Sequence, residues 1–128
     1  MKRLCAAAFF VASAGGSTHA SETVEYAQSP IASYSQKTLL KNWVLSVCLA
    51  RIAQNDKDRA DANATASAYL EFGRQPIEAY DALRTLVDTY ANKRYGGSIP
   101  SDFNTMKCID LFHSKELEKL STRLTKQK

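Results

Sequence analysis

Histidine, glycine and proline are all scarce in this sequence, and each scarcity excludes something. Only His19 and His113 occur in 128 residues. A metal centre draws on several His, Cys, Asp or Glu side chains at recognisable spacing, and no such spacing is present. No metal and no cofactor is expected. Five glycines and three prolines, beside 45% hydrophobic and 23% charged residues, describe a folded chain rather than a disordered or low-complexity one. An excess of one charge is missing too: seventeen basic residues face thirteen acidic ones, a formal net charge of +4. With no aromatic-and-basic RNA motif, a nucleic-acid partner is not expected. No stretch shows the alternation of a half-buried strand, and there is no internal repeat.

What is present begins with a secretory pattern. Lys2 and Arg3 precede an apolar run from Leu4 to Ala14, followed by Gly15-Gly16 and Thr18-His19-Ala20. The run is too short for a membrane anchor, and the small residues near its end place cleavage after Ala20. Cys5 lies before the heart of that run rather than after it, which argues against a lipid anchor. Without residues 1–20 the basic count falls from seventeen to fifteen and the net charge to +2, so part of the basic character belongs to the signal. Residues 21–34 are polar and contain Pro30; they read as a flexible leader, with Pro30 opposing a helix.

The rest reads as an all-α domain over residues 35–125, a small bundle of four to five helices. Ser35 is the N-cap of a first helix whose stripe is Leu39, Leu40, Trp43, Val44, Val47 and Cys48. Asn55 to Asp58 reads as a polar break before an alanine-rich second helix that Gly73 stops. Its Ala60, Ala64 and Ala68 suit close helix packing, within the subunit or against a partner. A third helix opens with Pro76 at its first position, carries Tyr80, Leu83 and Val87 inward, and ends near Lys93-Arg94. Gly96-Gly97 and Pro100 then interrupt the helical pattern. A fourth helix, capped by Asp102 or Asn104, carries Met106, Ile109 and Leu111. A break at His113-Ser114 precedes a final helix with Leu117, Leu120 and Leu124, and Thr125 to Lys128 are expected to fray. Lys37, Lys41 and Arg51 are expected on a solvated face.

Cys108 and His113 are the one pair suggestive of catalysis. Five residues along a helix turn through about 500°, so the two side chains diverge by about 140° and cannot share a proton unless the helix breaks between them. No nucleophile elbow supplies a serine alternative. No catalytic residue is assigned, and the protein is not expected to be an enzyme. Once Cys5 leaves with the signal, Cys48 and Cys108 remain. In an exported domain they most simply pair with each other; an intermolecular bond is the alternative.

Two segments, YSQKTLLKNWVLSVCLARIA (34–53) and FNTMKCIDLFHSKEL (103–117), resemble the type VI secretion amidase immunity proteins, the Tai family in its fourth subgroup. SAYLEFGRQPIEAYDALRTLVD (67–88) follows the same family's run. The resemblance implies a helical periplasmic protein that binds and inhibits a cognate amidase effector, of the Tae family's fourth subgroup. That toxin is a cysteine peptidase cutting peptidoglycan stems between D-glutamate and diaminopimelate. The resemblance also implies a homodimer that engages two toxins in a heterotetramer, and a protruding loop that plugs the toxin's groove.

RYGGSIPSD is the segment that fits such a loop. Its candidate contact residues are Arg94, Tyr95, Gly96, Gly97, Ser98, Ile99, Pro100 and Ser101. The glycines allow close backbone approach, Pro100 restricts the return path, and Arg and Tyr are residue types that anchor interfaces. An ordinary interhelical turn is the plainer alternative. Two other functions stay open at this point: a small periplasmic helical chaperone or acid-stress protein, and an inhibitor of another cell-wall hydrolase such as lysozyme.

Overall fold

A computed structural model describes residues 27–126 as an all-α bundle. The secretory segment and residues 21–26 of the leader lie outside the described residues. Five helices follow in order: α1 Gln36–Ile52, α2 Asp56–Glu71, α3 Ile77–Ala91, α4 Asn104–His113 and α5 Lys115–Lys126.

Each helix starts for a local reason. The Ser35 hydroxyl accepts from the Thr38 N–H at 3.1 Å, which satisfies one of the free donors of α1. Asn55 does the same for Asp58 at 2.9 Å. The expected polar break is therefore a cap, and α2 starts at Asp56, with two acidic residues in its first turn to suit the dipole. Pro76 caps α3 instead of occupying its first position; its extended ψ of 154° holds it just outside the helix. α3 ends at Ala91, so Lys93 and Arg94 lie beyond its last turn. Neither Asp102 nor Asn104 caps α4. Phe103 occupies that position in a left-handed conformation, φ 49°, with no side-chain cap bond. Ser114 makes the break between α4 and α5: its hydroxyl donates to the Leu111 carbonyl at 2.7 Å and accepts from the Leu117 N–H at 3.1 Å. α5 runs on through Thr125 and Lys126, which were expected to fray. In the leader, Pro30 opens a single 3₁₀ turn, Pro30–Ser33, where its missing N–H is no loss. Tyr34 then stacks on Tyr69 of α2, 6.5 Å between ring centroids.

α1 is the hub and packs against all four other helices, while α2 and α3 scarcely meet. The core is the stripe read from the sequence: Leu40, Trp43, Val44 and Cys48 of α1 against Tyr80, Leu83 and Val87 of α3, with Cys108, Leu111, Leu117 and Leu124 closing it. Trp43 and Tyr80 meet edge to face at 4.9 Å. Cys48 and Cys108 are fully buried and joined by a disulfide, with Cα atoms 5.7 Å apart and a sequence separation of 60. The pairing within one chain is therefore the one realised.

α2 stops just before Gly73, as expected, but close packing rather than backbone conformation is what demands a glycine there. No described glycine has a positive φ. Instead, a Cβ on Gly73 would collide with the hydroxyl of Tyr80, which is 2% exposed and wedged against Trp43. Gly73→Ala should destabilise the domain by about 1–3 kcal/mol through overpacking. Thermal unfolding checks it; an unchanged midpoint would mean that Tyr80 gives way freely.

Lys37 and Lys41 knit rather than merely solvate, since both pair with Glu118 of α5. Their ammonium groups, Lys37 first, hold the Glu118 carboxyl below its usual value. Because the native pKa is lowered, the stabilisation is present above the ordinary glutamate value near 4.3 and is lost as pH falls through the native one. Glu118→Gln should lower stability near neutrality, and its curve should converge on the wild-type curve in acid. Parallel curves down to pH 3 would contradict this assignment.

Candidate functional site

The Cys108 and His113 pair dissolves in the structure. The Cys108 sulfur is bonded to Cys48, and His113 is exposed with its ring edge-on to Phe112 at 5.3 Å. Among the described residues no group of three or more His, Cys, Asp or Glu side chains is placed to hold a metal. Nor is any described helix long and apolar enough to cross a membrane.

What stands out is the connection from α3 to α4, Asn92 to Phe103. It contains all eight candidate residues in one continuous non-helical segment. Gly96, Gly97, Ser98, Ile99, Pro100 and Ser101 are all exposed; Ile99, an isoleucine, is 69% exposed. Arg94 is exposed at the base. Tyr95 is half-buried, because its hydroxyl donates to Asp110 Oδ2 on α4 at 2.7 Å. That bond to a carboxylate holds the phenol above its ordinary pKa. It also ties the ascending limb to a helix, so Tyr95 acts as a brace.

The descending limb is braced differently. The Phe103 ring lies beneath Gly97, so closely that a Cβ there would stand 2.8 Å from Phe103 Cζ. The Ser101 hydroxyl accepts from the Phe103 N–H at 3.1 Å. Gly96, by contrast, has open space around it. Of the two glycines, only Gly97 is demanded by close packing, and the wall it approaches is its own chain. At the base, buried Lys107 donates to Asn104 Oδ1 at 2.9 Å and reaches the Ala91 carbonyl at the end of α3. Both feet of the loop are thus fixed.

Sequence reasoning missed Phe103 and Asp110. A left-handed phenylalanine gives no local signal, and an aspartate on a helix surface does not announce its partner fifteen residues away. Beside the loop, α4 exposes Met106 and Ile109 at 46% and 51%. Together with Ile52 and Phe103 they line a depression of about 590 Å³. On α2, Ala66 rather than Ala60, Ala64 or Ala68 packs inward; those three are exposed. Arg51 is paired with Asp88 at 2.9 Å and is not simply solvated.

The Tai4 family, described as a type VI secretion system (T6SS) amidase immunity protein, matches residues 38–121. None of the curated proteins compared with the chain matches it significantly. Solved structures do. A chain of the effector–immunity system Tae4/Tai4 from Salmonella typhimurium is 49% identical, with a TM-score of 0.73, 76% of this chain covered and 96% of that one. A structure from work on type VI-secreted toxins and self-resistance proteins in Serratia marcescens is 31% identical, with a TM-score of 0.71 and coverages of 80% and 87%. The type VI effector–immunity complex Tae4–Tai4 from Enterobacter cloacae contains a chain 26% identical, with a TM-score of 0.67 and coverages of 76% and 99%. The matched residues include most of α1, the loop and the disulfide, and the chain belongs to the Tai4 family of type VI secretion system amidase immunity proteins.

Proposed function

We propose that this protein protects its producer by binding a cognate type VI amidase effector of the Tae4 kind and blocking its substrate groove with the loop Arg94 to Ser101. The carrying observation is an interhelical loop, exposed from Gly96 to Ser101 and braced at both feet, on a chain of the Tai4 family. Bracing matters because an inhibitor that is already ordered loses less conformational freedom on binding. The effector's substrate is the bond between D-glutamate and diaminopimelate in peptidoglycan stems, which puts the encounter in the periplasm. Export through cleavage near Ala20 delivers the protein there, and an oxidising compartment suits the Cys48–Cys108 bond. The inhibitory unit is a homodimer that takes two effectors into a heterotetramer.

Mixing residues 21–128 with the effector and measuring mass by light scattering after gel filtration tests this assembly. The expected species contains two copies of each chain. Separate elution of the two proteins would overturn the proposal. A one-to-one complex would remove the dimer and keep the inhibitor.

A further inference from the structure

A second feature lies away from the loop, where α2 and α3 diverge. Both rest on α1 but scarcely touch each other, which leaves a cleft of about 490 Å³ with α1 as its floor. Val47 and Ala50 form part of that floor, and Arg51, Arg59 and Arg84 converge from three different helices. Among the described residues lining the cleft, three are arginines and only Asp88 is a carboxylate; Asp56 and Asp81 stand outside the lining.

Each guanidinium is positioned and only partly used. Arg51 gives one contact to Asp88 at 2.9 Å. Arg59 donates to Asp56 at 2.7 Å and to the Ala53 carbonyl at 3.1 Å. Arg84 donates to Asp81 at 2.9 Å and lies over the Trp43 ring, 5.3 Å from its centroid. Asp56 and Asp81 are 100% and 73% exposed, so water competes well for them. An arginine has five donors in a planar fork that suits a carboxylate in two-point contact. Three such forks around an apolar floor match a chain of carboxylates on short methylene stems.

We propose that the cleft between α2 and α3 binds a short acidic peptide segment, with Arg51, Arg59 and Arg84 holding its carboxylates and the apolar floor receiving its stems. This site is independent of the inhibitory loop. Its volume falls within the range of small-ligand pockets, which suits a segment of a few residues.

Trp43 is the only tryptophan in the chain and lies beneath Arg84, so its fluorescence reports on the cleft. The test titrates the intact protein with tetraglutamate, with tetraglutamine and glutarate as comparisons at matched ionic strength. Tetraglutamate should give a saturable change and tetraglutamine none. Arg59→Gln and Arg51→Gln should each weaken the apparent Kd about tenfold, and Lys119→Gln on α5 should leave it unchanged. Circular dichroism confirms that the variants are folded. No saturable change, or wild-type affinity retained in both arginine variants, overturns the site. Glutarate binding as tightly as tetraglutamate overturns the assignment to a peptide segment. None of these readouts depends on amidase inhibition.

Discussion

Replacing Gly96 to Ile99 by a short polar linker should raise the concentration needed for half-inhibition of the amidase by more than about 100-fold while leaving the fold in place. The magnitude follows from interface energetics. A central anchor residue contributes 2 kcal/mol or more, and about 2.7 kcal/mol corresponds to 100-fold. Ile99 has the makings of such an anchor, an isoleucine left 69% exposed at the tip of a braced loop. The fold should survive because none of the four residues belongs to the core, which is built from the helices. Circular dichroism and thermal unfolding should match wild type within a few degrees, and the inhibition curve should not. Gly97→Val offers a subtler version: its side chain would drive the Phe103 ring from its place and reshape the loop with its tip chemistry intact. If the linker variant inhibits as well as wild type, the loop is an ordinary turn and the contact lies elsewhere.

The second large effect is on stability. Replacing both Cys48 and Cys108 by alanine should cost about 4 kcal/mol, from the loop-closure entropy of the sixty-residue span they enclose. A domain of this size has roughly 5–15 kcal/mol in total, so the variant should unfold at much lower denaturant and be marginal at 37 °C. Both sulfurs are fully buried, so reductant should act only after the bundle opens. Equal denaturation midpoints for the oxidised protein and the double variant would show that the helices hold without the bond. Inhibition assays below the variant's melting temperature then separate the bond's role in stability from any role in binding.

Much of this was legible because helices write their buried faces into the sequence at fixed spacing. The stripe from Leu39 to Cys48 located the hub helix and one end of the disulfide. Tyr80, Leu83 and Val87 located the helix it packs against, and Gly96-Gly97 with Pro100 located the loop. Part of what the sequence hid depended on partners elsewhere in the fold. Gly73 follows the end of α2 as read, but nothing local showed that Tyr80 also requires the missing side chain there. Of the two readings of Ala60, Ala64 and Ala68, packing within the subunit fails, because the face turned to α1 is marked by Ala66 and those three are exposed. Lys37 and Lys41 looked solvated because Glu118 lies about eighty residues on. Phe103 and Asp110 give the loop its shape, and neither has a signature a single sequence can display. The arginine cleft was invisible for the same reason, as its three cations come from α1, α2 and α3.

The most direct test of the central claim is a titration of amidase activity. Purified residues 21–128 are added to a fixed amount of the cognate effector while cleavage of peptidoglycan stem peptides is followed. A linear loss of activity reaching zero at one copy per effector is the predicted result. Full activity in the presence of folded, oxidised protein in excess would contradict the account.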